Sequence, residues 1–469
     1  MQYSIISKSQ LNSNIRMDAE YFSPYYLSIE KKIKTKLTSP LSKYSFFAKK
    51  GIFDISPEKY KQQGIPLIRT SEIKSPLINF SSTVFLDHET HKEFQTTELQ
   101  PGDLVFTKIG AYIGDVAYLP NIYSKYNFSQ NVAGVKIKKD MISSEYLLCY
   151  FLSKYGRSQI LRYSMLSGQG KLELEDVRNI AIVEISHKFQ KYCSLIINKI
   201  EQIKDNMGKF YKDAENILLE NLDPQEIDRK PKLSYVKNFS DTQNANRIDA
   251  EYFHPKYDEI INKIKSYSNG WDTFENLIKL RDKNFTPIES ETYDYIELAN
   301  IAKNGSIVNI EKIQGKYLPT RARRKVKEGD VVVSSVEGSS DSIALITSQY
   351  DSALCSTGFY VMHSDVYNSE TLFCLMKSVL GQSQLKRGCS GTILTAINSD
   401  ELSKIILPKI NQDTQQKIKQ YISEMYYNQF LSKQLLEIAK RGVEKAIEES
   451  EDIAMQWMKE QLEIIGVSL

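Results

Sequence analysis

The chain is written twice. Arg16-Met17-Asp18-Ala19-Glu20-Tyr21-Phe22-Ser23-Pro24 returns as Arg247-Ile248-Asp249-Ala250-Glu251-Tyr252-Phe253-His254-Pro255, an offset of 231 positions. After each proline the spacing Tyr26, Ile29, Ile33 and Tyr257, Ile260, Ile264 puts three apolar side chains on one face of a short helix. The register persists with small slips. Ile65 to Ile73 faces Tyr293 to Ile301 at an offset of 228, and Leu99 to Val105 faces Val326 to Val332 at 227. Gly156-Arg157-Ser158-Gln159 faces Gly381-Gln382-Ser383-Gln384 at 225; Asp176, Val177, Ile180 and Ile185 face Glu401, Leu402, Ile405 and Ile410 at the same offset. Loop insertions and deletions produce such drift, whereas chance does not produce five matches in order.

Each copy reads as short strands first and helices after. Gly102-Asp103 and Gly329-Asp330 are turns that open β-branched runs, Leu104-Val105-Phe106 and Val331-Val332-Val333. An apolar helix follows (Ser144 to Leu152; Ser369 to Val379), then a Gly/Ser loop and a closing strand at Ile180 to Val183 and Ile405 to Leu407. That order predicts an α+β domain.

Each copy closes with a long helix. Cys193, Ile196, Ile200, Ile203, Met207, Phe210, Ala214 and Ile217 step by threes and fours, the seam of a coiled coil. Pro224 and Pro231 bracket the linker into the second copy. The second helix is predicted from about Asp413 to Ile465, with Ile418, Ile422, Met425, Leu435, Ile438, Val443, Ile447, Met458 and Leu462 as its seam and Gln429 and Gly442 interrupting it. A seam needs a partner. Either each helix packs on its own domain, or the two pair with each other. In the second case helices from units related by a pseudo-twofold axis run antiparallel, and a doubled head on a spacer suits the pseudo-symmetry of duplex DNA.

Bulk composition narrows the field. At 469 residues the chain exceeds one core, and 41% hydrophobic with 25% charged residues is ordinary for globular protein. No run approaches the roughly 18 apolar residues of a membrane helix. The start, Met1-Gln2-Tyr3-Ser4, lacks a basic-then-apolar leader, so no signal peptide is expected. Five scattered cysteines without a Cys-x-x-Cys pair read as reduced thiols of a cytoplasmic protein. Net charge is only +3, so any nucleic acid is held by local charge or with a partner's help.

The order head, long helix, head, long helix resembles the specificity subunit of Type I restriction-modification enzymes. So do Leu99-Gln100-Pro101-Gly102-Asp103-Leu104-Val105-Phe106 followed by Gly110-Ala111-Tyr112-Ile113-Gly114, then Asn127-Phe128-Ser129-Gln130-Asn131, and Ser167-Gly168-Gln169-Gly170 before Leu174-Glu175-Asp176-Val177. The resemblance covers nearly the whole chain, and the doubled order carries it more than any single motif. It implies an α+β fold with two tandem homologous target-recognition domains, separated by two long antiparallel helices that form a coiled coil of pseudo-twofold symmetry. The expected boundaries are a first recognition domain at 1–186, a spacer helix at 187–223, a second recognition domain at 224–411 and a second spacer helix at 412–469. The resemblance also implies one half of a split double-stranded DNA site per domain, two adenine methyltransferase subunits docked on the helices, and restriction/translocase subunits recruited to the assembly. The second copy departs from the pattern: Gly338-Ser339-Ser340-Asp341-Ser342 stands for Gly110 to Gly114, and Cys355-Ser356-Thr357-Gly358-Phe359 for Phe128 to Val132. Divergence there implies different half-sites.

Bases are read by side chains of fixed donor and acceptor geometry, and phosphates by Lys, Arg, Ser and Thr. In the first copy the candidates are Arg69, Thr70, Lys108, Tyr112, Gln130, Asn131, Gln169 and Lys171, in loops beside predicted strands. For each the plain alternative is a solvated polar residue. In the second copy Arg321, Arg323, Arg324 and Lys325 belong to the densest basic run, with Lys327 completing five cations in seven residues. This run suits phosphate anchoring or a solvated face. Ser339, Ser340, Thr357, Arg387, Ser390 and Thr392 are weaker candidates.

Catalytic motifs are missing from the sequence. It has no Asn/Asp-Pro-Pro-Tyr/Phe stretch for amino methylation and no Gly-x-x-x-x-Gly-Lys-Ser/Thr loop for a motor. His88-Glu89-Thr90-His91 does not meet His-Glu-x-x-His and reads as a surface loop, so neither metal nor cofactor is expected. A non-catalytic DNA-reading subunit is therefore expected. The rivals are a fused restriction enzyme, a coiled-coil scaffold that binds protein, and the specificity subunit of another methylation-linked phage-defence system.

Overall fold

In both copies the proline-led helix forms where its apolar triad demands. Pro24–Lys34 buries Tyr26, Ile29 and Ile33, and Pro255–Lys265 buries Tyr257, Ile260 and Ile264. Proline at the first turn fixes φ and removes a donor that would have no partner there. The computed structural model describes residues 4–6, 18–74, 76–78, 80–110, 112–164, 170–220, 234–308, 310–391 and 395–469. Arg16, Met17, Pro224 and Pro231 lie outside them.

By packing, the chain divides into two units: residues 1–203 with 430–469, and residues 204–429. In the first unit a sheet runs in the order Ser45–Lys50, Val132–Ile137, Leu104–Thr107, Val116–Tyr118, with two short strands, Leu77–Ile78 and Ile73–Lys74, beyond. A second sheet pairs Ile65–Ile68 antiparallel with Val84–Leu86 and parallel with Asn127–Phe128. Thr38–Pro40 pairs with the closing strand Ala181–Val183.

The second unit repeats this order. Lys279–Leu280, Phe359–His363, Val331–Ser334 and Ile343–Leu345 form its first sheet. Thr292–Ile296 pairs antiparallel with Glu311–Gln314 and parallel with Leu354–Ser356, and Trp271–Thr273 pairs with Ile406–Pro408. The parallel registers match residue for residue, Ile68 opposite Phe128 and Ile296 opposite Cys355. The copies differ at their margins: only the first sheet of the first unit is extended by Leu77–Ile78 and Ile73–Lys74, and the second unit pairs Cys389–Ser390 with Ala396–Ile397. The second adds an edge strand, Ala322–Lys325, antiparallel to Leu354–Ser356, where the first has the helix His88–Glu93 and the turn Gln95–Thr97.

The shared motifs are structural clamps. Gly102 and Gly329 turn with φ of 86° and 84°, a conformation that costs glycine little. The buried carboxylates after them staple the turns: Asp103 accepts from the N–H of Gln100 (2.8 Å) and of Ile137 (3.0 Å), and Asp330 from the N–H of Lys327 (2.8 Å) and Nε of Arg281 (2.9 Å). Gln159 donates to the carbonyl of Ala181 and accepts from its N–H, at 3.0 and 2.9 Å; Gln384 does the same to Ile406, at 2.9 and 3.0 Å. Asp18 and Asp249 each accept from the N–H of the tyrosine three residues on, at 3.1 and 3.2 Å. Those tyrosines, Tyr21 and Tyr252, offer their carbonyls to Arg162 (2.7 Å) and Arg387 (3.1 Å), each guanidinium also lying on the tyrosine ring.

The first long helix is His187–Glu220. Its early seam residues Cys193, Ile196, Ile200 and Ile203 are buried in the first unit together with Leu431, Leu435, Ile438, Val443 and Ile447 of the last long helix. Its later residues Met207, Ala214 and Leu218 are buried in the second unit with Ile418, Ile422 and Met425. The closing helix is shorter than the seam predicts. It spans Gln412–Glu448, breaks, and restarts as Glu451–Ile464. Ser450 caps the new helix by accepting from the N–H of Ile453, with Glu451 and Asp452 in its first turn. Acidic residues there favour a helix start, whereas Glu448 and Glu449 oppose the dipole of the helix that ends. Met458 then reaches back to Gly442, where a Cβ would meet its sulfur at 2.2 Å. The interruption at Gly442 is thus the seat of a buried methionine. All five cysteines are buried and unpaired, and among the described residues no helix is long and apolar enough to cross a membrane.

Candidate nucleic-acid interface

In the first unit three loops and the end of a strand meet at one edge. The strand Leu104–Thr107 runs out into Lys108, whose N–H donates to the carbonyl of Asn131 (2.9 Å); Ile109 N–H donates to the same oxygen (3.2 Å). Leu172 N–H donates to the carbonyl of Lys108 (3.0 Å), and Ser129 N–H to that of Ile68 (2.9 Å). These bonds bring together Thr70, Lys108, Tyr112, Gln130, Asn131 and Lys171. The Thr70 hydroxyl lies beside Gly110, Tyr112 and Asn131 are exposed, and Gln130 is half-buried. Gln169 lies outside the described residues.

The electrostatics of this cluster favour an anion. Lys108 is only 7% exposed. Burial first, then the ammonium of Lys171 and that of Lys50, hold its pKa below the ordinary lysine value, and Glu173 offsets this in part. Glu173 pairs with Lys171 at 2.7 Å. A desolvated ammonium beside two others is costly until an oxyanion joins it. Lys50, at the end of Ser45–Lys50, was missed in the sequence because it lies 58 residues from Lys108.

Arg69 is differently employed. Its guanidinium grips the fully buried Glu72 at 3.2 and 2.9 Å and donates to the carbonyl of Ser82 at 2.7 Å. Its position in the cluster is therefore that of an internal ion pair closing the turn after Ile65–Ile68.

The second unit rebuilds the frame with other side chains. Ser335 N–H donates to the carbonyl of Gly358 (2.9 Å), and Ile397 N–H to that of Ser335 (2.9 Å). Ser335 thus occupies the place of Lys108, and Gly358 that of Asn131. Thr357, exposed, stands for Gln130, and its N–H donates to the carbonyl of Arg321 (2.8 Å). The Ser339 hydroxyl shares a hydrogen bond with that of Ser334 (3.0 Å), and the carbonyl of Ser340 accepts from Gln382 (3.1 Å). Ser390 is exposed in the short strand Cys389–Ser390. Arg387 lies in the helix Val379–Gly388, its guanidinium held by Tyr252, with Asp258 at 3.7 Å. Thr392 lies outside the described residues.

The basic run forms the edge strand Ala322–Lys325. Arg321 precedes it, its side chain 63% exposed with Glu297 at 3.9 Å. Arg323 donates to the carbonyl of Thr320 (2.9 Å), and Lys325 lies over the ring of Phe285. Arg324 turns inward: its Nε and Nη1 are buried without a hydrogen bond, near Cys355 and Tyr360. Burial pushes the Cys355 thiol up to about 12. Charged edge strands also guard a sheet against pairing with other chains.

The segment read as a surface loop at His88 to His91 is instead the helix His88–Glu93, capped by Asp87, and it buries His91. His91 bonds Asn127 through Nδ1 and Glu98 through Nε2 at 3.0 Å, and Glu98 also takes Lys125 at 2.9 Å. His91 packs against the start of the strand that leads into Gln130 and Asn131. Its partners lie too far along the chain for local reading. Among the described residues no group of His, Cys, Asp and Glu is placed to hold a metal.

Three solved structures are similar to the chain over most of its length, at low identity. A structure of the complex assembly and conformational transition of a type I R-M system is 13% identical and covers 92% of this chain and 97% of that one, with a TM-score of 0.27. The S subunit of a Type I restriction-modification system from M. genitalium is 10% identical over 92% and 96%, with a TM-score of 0.36. The HsdS subunit from Thermoanaerobacter tengcongensis is 12% identical over 88% and 97%, with a TM-score of 0.29. No curated protein matches the chain by sequence. The family model described as the Type I restriction modification DNA specificity domain matches residues 41–204, which hold the first unit's two larger sheets, its loop cluster and the start of the first long helix. Residues 41–204 are therefore similar to the Type I restriction modification DNA specificity domain.

Proposed function

We propose that the chain is a non-catalytic subunit that binds double-stranded DNA in a sequence-specific way and directs adenine methyltransferase and restriction/translocase subunits to a bipartite site. One observation carries this reading. Two loop clusters share a frame of backbone hydrogen bonds and present different side chains, Lys108, Gln130 and Asn131 in one and Ser335, Thr357 and Gly358 in the other. A constant frame with variable tips is what two readers of two different half-sites require. The specificity-domain match over the first cluster supports the same assignment.

In this reading the recognition domains are 1–186 and 224–411, and the spacers 187–223 and 412–469. The spacers run antiparallel as a pseudo-twofold coiled coil that fixes the gap between half-sites. Pairing within each unit supports it: Ser186, ahead of the first long helix, hydrogen-bonds Glu451 at 3.1 Å, and further along Phe210 packs on Tyr421, their ring centroids 6.3 Å apart. The working place is the cytoplasm, where the host DNA lies. Two methyltransferase subunits and the restriction subunits supply the chemistry.

The near-neutral net charge of +3 favours a protein-binding scaffold instead. A gel shift on random duplex, with and without a methyltransferase partner, separates the two. Binding that falls steeply with salt and strengthens with the partner supports the DNA reading, and absence of binding in both arms contradicts it.

A further inference from the structure

We propose that Lys108 and Arg321 do the same work, each gripping a DNA backbone phosphate for its own loop cluster, from positions that are not equivalent in the duplicated sequence. This rests on reading the clusters as the DNA-facing surface.

The frames correspond bond for bond, so the fate of each position can be followed. Lys108 sits on the frame itself, with Lys171 and Lys50 close enough to act on its ammonium. At the 225-residue offset that relates Leu172 to Ile397, Lys171 becomes Ala396; at the 227-residue offset that relates Leu104 to Val331, Lys108 becomes Ser335. The hydroxyl of Ser335 is spent on the carbonyl of Gly358 at 2.9 Å. The second frame has lost both lysines.

A cation returns from outside the frame. The hydrogen bond from Thr357 N–H to the carbonyl of Arg321 fixes Arg321 one residue from the frame position Gly358. Its guanidinium is the most outward of the edge-strand arginines, since Arg323 bonds Thr320 and Arg324 points toward Cys355 and Tyr360. Its neighbours are the Tyr295 hydroxyl and a Glu297 carboxylate oxygen at 3.9 Å, beyond a strong ion pair, and with 63% of the side chain exposed the outer donors of the fork are able to take a phosphate. At the matching place the first unit has the apolar Phe94, after the helix His88–Glu93, and the ammonium over its ring, Lys59, is paired with Glu93 at 2.8 Å. A phosphodiester backbone is continuous, so a phosphate contact can migrate along the protein surface in a way that a base contact cannot.

The test is the slope of log affinity against log salt, measured with the full chain on random-sequence duplex. Lys108→Gln and Arg321→Gln should each lower the slope by about 0.9 and the double variant by about 1.8. Lys108→Arg and Arg321→Lys should restore it, and Lys459→Gln, on the exposed face of the final helix, should leave it alone. Melting temperatures check that each variant is folded. A wild-type slope in folded Arg321→Gln or Lys108→Gln overturns the inference while leaving the DNA reading intact. A wild-type chain without salt-dependent affinity for duplex overturns both.

Discussion

The two units share a skeleton and differ at their tips. In both, a buried aspartate staples a glycine turn, a glutamine clamps the closing strand, and one residue after a central strand ties together two loops. What hangs on that skeleton diverges. The first unit carries lysines on the frame and covers the second sheet with a helix around a buried histidine, whereas the second carries hydroxyls on the frame and adds a basic edge strand. Groups inside the fold answer to backbone polarity and close packing, which allow few solutions. Groups at loop tips answer to whatever they bind.

If the clamps are the conserved part, breaking them should be the costliest change. Gln384 is buried, and Gln384→Ala leaves both the N–H and the carbonyl of Ile406 without partners. A loss of about 3 kcal/mol in chemical denaturation is expected, against about 2 kcal/mol for Gln159→Ala, whose site is less enclosed. Equal or negligible losses would remove the clamp from the common skeleton.

The next effect separates the units by pH. Lys377 stands where the first unit has Leu152, and burial lowers its pKa to about 8, with Asp341 and Glu215 opposing the shift. Folding therefore disfavours the charged lysine. The penalty is complete below pH 8 and fades as pH rises toward 10.5, where the unfolded chain is also neutral. The stability of the wild type relative to Lys377→Met should rise by about 2 kcal/mol between pH 8 and pH 10. Leu152→Met should give a pH-independent difference.

A smaller effect tests the long helices. Gly442 faces Met458, whereas its counterpart at the 225-residue offset is Ile217. Gly442→Ala gains helix propensity but crowds a fully buried side chain, for a net loss of about 1 kcal/mol. Stabilisation by this change would mean that the final helix does not pack on Gly442. Smallest is the effect of Ser335→Lys, which returns a cation to the second frame. It should steepen the salt slope of duplex binding by up to about 0.9, with only a few-fold gain in affinity.

Periodic apolar residues made much of the fold legible. The triads after Pro24 and Pro255 are the buried faces, and the seam from Ile418 to Leu462 is buried throughout. The break after Glu448 was hidden because the seam continues through it; the acidic run with Ser450 was the available signal. At the candidate interface, Thr70, Lys108, Tyr112, Gln130, Asn131 and Lys171 come together because they follow strand ends in the repeat. Arg69 is tied to Glu72, a partner readable three residues on. The partners of Arg387, Tyr252 and Asp258, lie more than a hundred residues away and are not legible locally. His91 was misread as surface because its neighbours are charged and its partners are remote. The clamp glutamines were visible as repeats but carried no local sign of their role.

The most direct test is to map methylated adenines in a host that carries the chain with its methyltransferase partner. The account predicts a single asymmetric motif in two halves, and Gln130→Ala with Asn131→Ala should relax one half while leaving the other and the gap unchanged. A continuous motif, or both halves relaxing together, would contradict it.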